Sequence, residues 1–435
     1  MNIVLIISDT LRRDHLSCYG NEEIHTPHLD RFAQQCVVFD RAYTASFPTV
    51  PMRADVMTGK WTFTYLGWAP LPRNEVILPQ LLSKSGFRTM AVVDTPFLVR
   101  QGYGYDRGFG DFRWIRGQGG DRADTNYERR YEEDYCAPMT CAAAERWIER
   151  HYKDQFFLYV DTWDPHEPWD PPAHYVELYD KDWDGAIVAP PYWYWKDAGL
   201  TERQLQVAHA CYCGEVTMVD RWVGRIIERI ESLGIMDRTA ILFTTDHGFY
   251  FGEHGILGKT VMRRGEFRGS PLYEEVARIP LLVYVPGVDP KRSDALVSAV
   301  DFMPTILELA GVQIPETVQG GSFAPVLKGE KSTHRQFVVS TTQLQNPGET
   351  TQAVDDSQRQ IKTYLPATIT SDEWSLLYAW EGAQVELYNL KSDPKQRTNV
   401  VEDNRELAEE MHRWFYELIK AAGAEERLLE PRAKL

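Results

Sequence analysis

Short apolar runs that alternate with helix-spaced segments along most of the chain constrain its fold more than any other feature. Candidate strands fall near residues 2–8, 87–94, 156–161, 238–246 and 280–285, and candidate helices near 76–85, 139–150, 202–233 and 302–310. Strands separated by helix-length segments pair in parallel, with helices on the faces of the sheet. The expected class is therefore α/β with a mostly parallel central sheet. Active sites in such sheets open at the carboxyl ends of the strands. Asp9 follows the first apolar run and Asp246-His247-Gly248 follows Ala240 to Thr245, so both stand where a ligand would be met.

The rhythm changes from about residue 340. A polar stretch from Gln343 to Arg359 precedes strand-like runs over Thr368 to Trp380 and Val385 to Tyr388. A closing helix runs from about Asn404 to Ala421, with Leu407, Met411, Trp414, Phe415 and Leu418 at helical spacing. The chain of 435 residues is thus read as a catalytic domain over 1–345 and an α+β subdomain over 346–435. A formal charge of −16 argues against a nucleic-acid or anionic-membrane surface. No stretch approaches the ~20 apolar residues of a membrane span. With no basic leader and six cysteines lacking a CxxC pair, the expectation is a cytoplasmic protein with reduced thiols. The run Gly102 to Gly108 places its third glycine one position late for a dinucleotide fingerprint.

Four segments carry candidate chemistry. They are Asp9-Thr10-Leu11-Arg12-Arg13-Asp14-His15-Leu16; Thr49-Val50-Pro51-Met52-Arg53 followed by Met57-Thr58-Gly59; Trp163 to Pro172 around His166; and Asp246-His247-Gly248 with Gly252-Glu253-His254 and Lys259. In that order they resemble the amino-terminal metal segment, the nucleophile motif, an anion-contacting phrase and the second metal segment of the sulfatase family, in the alkaline phosphatase superfamily. Further likenesses run from Tyr273 to Leu281, Asp301 to Thr305, Gln319 to Ser322 and Glu386 to Asn399, so the resemblance covers nearly the whole chain. It implies a three-layer alkaline-phosphatase-like sandwich with a small carboxy-terminal α+β subdomain.

The resemblance also implies roles. Asp9, Asp246, His247 and Thr49 would hold one divalent cation, with Ca, Mn, Mg and Zn all open, because carboxylate oxygens and imidazole suit such ions. Arg53, His166 and Lys259 would surround the transferring group. Pro51 sets a helix start at Thr49, and a helix amino terminus favours an alkoxide and a bound anion. The plainer alternatives are an Asp9 that caps a turn, a Thr49 that is only an N-cap, and a His166 that is merely solvated. Ser46 rivals Thr49, but Val50 stands where its arginine should be. His254 could orient the site, act as an acid or cap a loop.

Three departures shape the functional expectation. The family nucleophile is a cysteine or serine oxidised to formylglycine, whereas Thr49 could give at most a ketone, so no formylglycine is expected. Thr10 stands where many sulfatases have a second aspartate, a form shared with phosphonate and phosphodiester hydrolases. Residues 89–98 read Thr-Met-Ala-Val-Val-Asp-Thr-Pro-Phe-Leu in place of the family's Gly-Lys-Trp-His segment. No Asp-x-x-x-His pair stands near 161–166, so one metal is preferred to two. The expected activity is hydrolysis of a small anionic phosphate mono- or diester with Thr49 as nucleophile. Sulfate-ester hydrolysis by the same threonine and noncatalytic anion binding are the alternatives. Arg263, Arg264 and Arg268 could hold the leaving group or be solvated. Pro190 to Trp195 could stack on an aryl or sugar group or line a subunit contact, which leaves a homo-oligomer open.

Overall fold

The computed structural model describes residues 1–98, 103–116, 131–263, 266–267, 269–352, 358–361, 364–379 and 385–435; Arg264 and Arg268 lie outside them. The first strand, β1 (Asn2–Ser8), carries Ile3, Val4, Leu5, Ile6 and Ile7, all fully buried. Side chains alternate across a strand, so Ile3, Leu5 and Ile7 enter one core while Val4 and Ile6 enter another. Burial on both faces is why the run is continuous rather than alternating.

Among the described residues β1 sits inside a nine-stranded sheet, eight strands in one path and a short ninth, Val297–Ser298, paired beside Ala42 and Tyr43. With β2 (Val37–Tyr43), β3 (Arg88–Val93), β4 (Asp111–Trp114), β5 (Phe156–Thr162), β6 (Thr239–Thr244), β7 (Arg278–Tyr284) and β8 (Lys291–Ser293), the order is β8-β2-β7-β6-β1-β5-β3-β4. Strands β6, β1, β5, β3 and β4 run parallel, and β7 runs antiparallel to both of its neighbours. One face packs on α1 (Thr49–Thr58), α2 (Leu78–Lys84) and α5 (Phe302–Ala310); the other packs on α3 (Cys136–His151) and α4 (Glu202–Ser232). The sandwich is therefore three-layered. Helix α4 starts at a capping box in which Thr201 Oγ1 accepts from Gln204 N at 3.2 Å and Gln204 Oε1 accepts from Thr201 N at 2.9 Å. Its Val216, Val219, Val223, Ile226 and Ile230 are buried against the sheet, each worth about 1.5–3 kcal/mol.

A four-stranded antiparallel sheet follows, in the order β9 (Phe337–Thr341), β10 (Ala367–Ser371), β11 (Trp374–Tyr378) and β12 (Glu386–Asn389). The run expected over 368–380 is thus a hairpin that turns at Asp372-Glu373. Helix α6 (Arg405–Ala421) buries Ala408, Met411, His412, Phe415 and Ile419, while Leu407, Trp414 and Leu418 flank that stripe half-buried. Strand β9 also braces the loop before α1: Phe47 N donates to Thr341 O at 2.9 Å, and Thr341 N donates to Ala45 O at 2.9 Å. Trp193–Tyr194 forms a strand paired with Ile256 and Leu257. Among the described residues no helix is long and apolar enough to cross a membrane.

Candidate active site

Parallel register brings the acids of the site level with one another. Ile7 pairs with Thr244 on one side and Asp161 on the other, and Val93 also pairs with Asp161. Asp9, Asp246, Asp161 and Thr95 consequently gather at the carboxyl ends of four adjacent strands, all fully or almost fully buried. The turn after β6 passes so near a neighbouring chain segment that a Cβ on Gly248 would lie 1.9 Å from Glu275 O, which requires glycine beside His247.

Helix α1 begins at Thr49, and its first backbone bond runs from Met52 N to Pro48 O at 3.1 Å. The residue in the N-cap position is Pro48, and Thr49 makes no capping bond through its side chain. Its Oγ1 instead lies 3.5 Å from His247 Nε2, at full burial. Ser46 is spent elsewhere: its Oγ donates to Asp55 Oδ1 at 2.8 Å and accepts from Phe63 N at 2.9 Å. The rival nucleophile is a structural brace for the loop that leads into α1.

Arg53, one turn into α1, differs from its expected role. Its fork grips Asp161, with Nε to Oδ2 at 2.9 Å and Nη2 to Oδ1 at 2.7 Å. Nη1 reaches Asp246 Oδ2 at 2.5 Å, Asp9 Oδ2 at 3.1 Å and the Thr49 carbonyl at 3.2 Å. A guanidinium committed to three buried carboxylates positions those acids and the first turn of α1; it does not offer its fork to a substrate. Although burial disfavours its charge, Asp161, Asp246 and Asp9 hold its pKa well above the ordinary value.

His247 Nδ1 faces the Gly248 carbonyl at 2.9 Å, so that nitrogen carries the hydrogen and Nε2 presents a lone pair. Burial lowers the ring's pKa to about 3, keeping it neutral. Burial, and then the charge of Asp246, push Asp9 well above the usual carboxylate range. Asp246 works against the same burial and is held low by His247 and Arg53. Among the described residues, Asp9, Asp246 and His247 present donor atoms all within 4.8 Å of one another. Asp9 Oδ2 is buried yet accepts no hydrogen bond. A buried oxygen whose one cationic neighbour, Arg53 Nη1 at 3.1 Å, makes no hydrogen bond to it, beside a second carboxylate and an imidazole lone pair, is the chemistry a divalent cation fits.

Thr10 occupies the place of the missing second acid. Its backbone is left-handed at φ 61°, uncommon for a β-branched residue and worth roughly 1–3 kcal/mol of strain. From there its N–H donates to Asp246 Oδ1 at 2.9 Å and its Oγ1 donates to Asp9 Oδ1 at 2.6 Å. The hydroxyl orients Asp9 without adding a charge.

Lys259 Nζ lies 2.6 Å from His166 Nε2, and His166 Nδ1 lies 2.7 Å from the Glu167 carbonyl. Nδ1 therefore donates, Nε2 accepts, and the mobile proton belongs to the lysine. Burial, and then the Lys259 charge, push the His166 pKa well below its ordinary value. His166, expected to surround the transferring group, is a neutral ring whose Nε2 aims Lys259. His254 stacks on Tyr273 at 3.6 Å, with its Nε2 at 3.4 Å from Glu275; none of its described contacts reaches Thr49 or Lys259.

Sequence reasoning missed Asp161 and the groups around it. Thr95 Oγ1 donates to Asp161 Oδ1 at 2.7 Å, and the Tyr159 hydroxyl donates to Oδ2. Asp94 accepts from Trp163 N at 2.5 Å and from Thr140 Oγ1 at 2.7 Å, which ties down the loop that carries His166. The available signal was an acid at the end of an otherwise apolar strand, Phe156 to Thr162.

Comparison with known proteins gives the following. Residues 1–312 match the family described as Sulfatase, and residues 252–421 match that described as N-sulphoglucosamine sulphohydrolase, C-terminal. An N-acetylglucosamine-6-O-sulfatase of Bacteroides thetaiotaomicron is 24% identical, with 92% of this chain and 82% of that protein covered. An arylsulfatase of Clostridium perfringens is 26% identical over 92% and 90% of the respective chains. The solved phosphonate monoester hydrolase of Agrobacterium radiobacter superposes with a TM-score of 0.77 at 19% identity, covering 97% of this chain and 96% of that one. At that identity the likeness is one of fold.

Proposed function

The chain belongs to the sulfatase family of the alkaline phosphatase superfamily, hydrolytic enzymes of sulfuric and phosphoric esters, and from that premise we propose that it cleaves small phosphate mono- or diesters with the Thr49 hydroxyl as nucleophile. The observation that carries this reading is Thr49 Oγ1, which makes no cap and lies at a buried helix start 3.5 Å from His247 Nε2. Asp9, Asp246 and His247, with Thr49, would hold one divalent cation; when bound, it lowers the pKa of an adjacent hydroxyl and offsets charge on the transferring group.

The chain's own residues account for the remainder. Oγ1 gives up its proton to solvent and forms a bond to phosphorus in line with departure of the ester oxygen, giving a phospho-threonine ester. The departing oxygen takes a proton from Lys259 Nζ, which His166 Nε2 holds in place. Water then attacks phosphorus and returns a proton to Lys259 Nζ, the bond from phosphorus to Oγ1 breaks, and Oγ1 takes a proton from solvent to restore the hydroxyl. Arg53 keeps Asp9, Asp161, Asp246 and the first turn of α1 in register throughout.

Sulfate-ester hydrolysis is the second reading, favoured by relatives named as sulfatases. Phosphate is preferred because a threonine ester lacks the second hydroxyl through which a hydrated aldehyde expels sulfate, and water attacks phosphorus more readily than sulfur. Paired aryl phosphate, phosphonate and sulfate substrates decide between them. Phosphorus-ester turnover that falls by at least roughly a thousandfold in Thr49→Ala and survives in Thr49→Ser supports the proposal. Turnover confined to sulfate, or undiminished in Thr49→Ala, defeats it.

A further inference from the structure

Behind the turn that follows Asp9, a second group of donor atoms comes together from segments far apart in the chain. His15 stands in the 3-10 turn Arg13–His15, while His209 and Cys213 stand four residues apart on α4 and so share one helix face. His15 Nε2 and His209 Nε2 are 2.8 Å apart, and Cys213 Sγ is 3.7 Å from the same His209 nitrogen. The three donor atoms all lie within 4.8 Å of one another, with His15 and Cys213 buried and His209 half-buried.

Hydrogen bonding alone leaves this group incomplete. One hydrogen can join the two ring nitrogens, whichever ring carries it, and that bond uses the single site of His209 Nε2. The Cys213 thiol, 3.7 Å from the same nitrogen, can then take at most a share of that hydrogen. A cation answers all three, since two imidazole lone pairs and a thiolate can share it. The surroundings are those of a metal-binding histidine: His15 Nδ1 lies 2.9 Å from Asp14 Oδ1, and Asp14 is held by Arg12 through bonds of 2.8 and 2.6 Å. A carboxylate behind a ligating imidazole fixes its tautomer and aims its other nitrogen. A cavity of about 360 Å³, lined by all three residues together with Glu23 and Asp180, gives water access for a remaining coordination position.

We infer that His15, His209 and Cys213 form a second metal site, separate from the Asp9 group, that takes a thiophilic divalent cation such as zinc or cobalt. The thiol gives up its proton to solvent when the ion binds, and no other bond is made or broken. The ion would clamp α4 to the turn after Asp9. The same helix already holds that turn through Tyr212, whose hydroxyl accepts from Arg12 N at 2.7 Å and donates to Thr10 O at 2.9 Å.

The test is titration of the reduced, metal-free full chain with cobalt(II). A thiolate-to-cobalt charge-transfer band should rise and saturate by two equivalents, one ion at each group; the Asp9, Asp246 and His247 group has no sulfur and cannot produce it. The band should vanish in Cys213→Ser, fall at least tenfold in His209→Gln, and persist in Asp246→Asn. No band in the wild-type chain overturns the inference whether or not the variants fold. A band that survives Cys213→Ser overturns it too, because another thiol is then the ligand. Neither result depends on esterase activity.

Discussion

Replacement of Asp161 by asparagine tests whether a buried carboxylate holds the site together through Arg53. Asp161 accepts four hydrogen bonds, from Arg53 Nε at 2.9 Å, Arg53 Nη2 at 2.7 Å, Thr95 Oγ1 at 2.7 Å and the Tyr159 hydroxyl. An ionised carboxylate has about four accepting sites, so none is spare. Asparagine keeps one oxygen and turns the other position into an N–H donor, which faces a guanidinium N–H where an acceptor stood. One charge-assisted bond disappears, worth about 1.5–3 kcal/mol, and a buried arginine loses its paired charge. Breaking a buried pair costs about 3–5 kcal/mol. Asp246 and Asp9 still contact Nη1, so the lower end, about 3 kcal/mol, is expected. Tyr159→Phe, which removes one hydroxyl and no charge, should cost about 1 kcal/mol. Guanidinium denaturation followed by tryptophan fluorescence, compared at the transition that unfolds the central sheet, reads both. If Asp161→Asn unfolds within about 1 kcal/mol of the wild-type chain, Arg53 does not depend on this acid and the positioning argument fails.

Lys259→Met should lower kcat roughly 10²–10³-fold on alkyl esters and far less on nitrophenyl esters, which need no proton to depart. Equal losses on both would mean that Lys259 acts in binding rather than as the acid. His412, inside α6, is brought down to about 4 chiefly by burial. Its folded value lies below its ordinary one, so its adverse effect is absent above pH ~6.5 and grows as pH falls toward ~4. The stability gap between His412→Phe and the wild-type chain should therefore shift toward the variant over that window; a gap flat from pH 7 to 4 contradicts the assigned burial.

Elements were legible where periodicity was strong, and the site was legible where its residues were contiguous. β1, β5, α4 and α6 lie within two residues of their expected bounds at each end, since long apolar runs and amphipathic stripes leave one stable arrangement. Asp9, Asp246 and His247 come within 4.8 Å of one another, and Thr49 Oγ1 lies 3.5 Å from His247 Nε2, because they stand just after strand ends or at a helix start. What could not be read was the pairing of side chains across strands. Arg53 looks like a free anion receptor until β5 is placed next to β1, which sets Asp161 under its fork. His166 looks like a direct contact of the transferring group until Lys259, 93 residues away, is found on its ring nitrogen. The same limit hid His15 beside His209, since spacing shows the i, i+4 pair on α4 and says nothing of the turn packed against it.

Two threonines, Thr10 and Thr49, set this site apart from the segments it resembles, and on the proposed reading they act together. Counted as ionised, the state a bound cation would impose on its carboxylate ligands, Asp9, Asp161 and Asp246 carry three negative charges against the two positive charges of Arg53 and Lys259, a net of minus one. A divalent cation would make it positive by one. Had Thr10 been an acid, the same cation would be largely consumed in neutralising its own ligands, and an anionic ester would meet a site with no excess attraction. The hydroxyl keeps the orienting bond to Asp9 without the charge. Thr49, an alcohol that makes no cap, then meets a substrate drawn in by that surplus, at a helix end whose dipole has the same sign. The two substitutions thus favour one outcome: a nucleophile that must displace an ester directly, in a pocket biased toward anions.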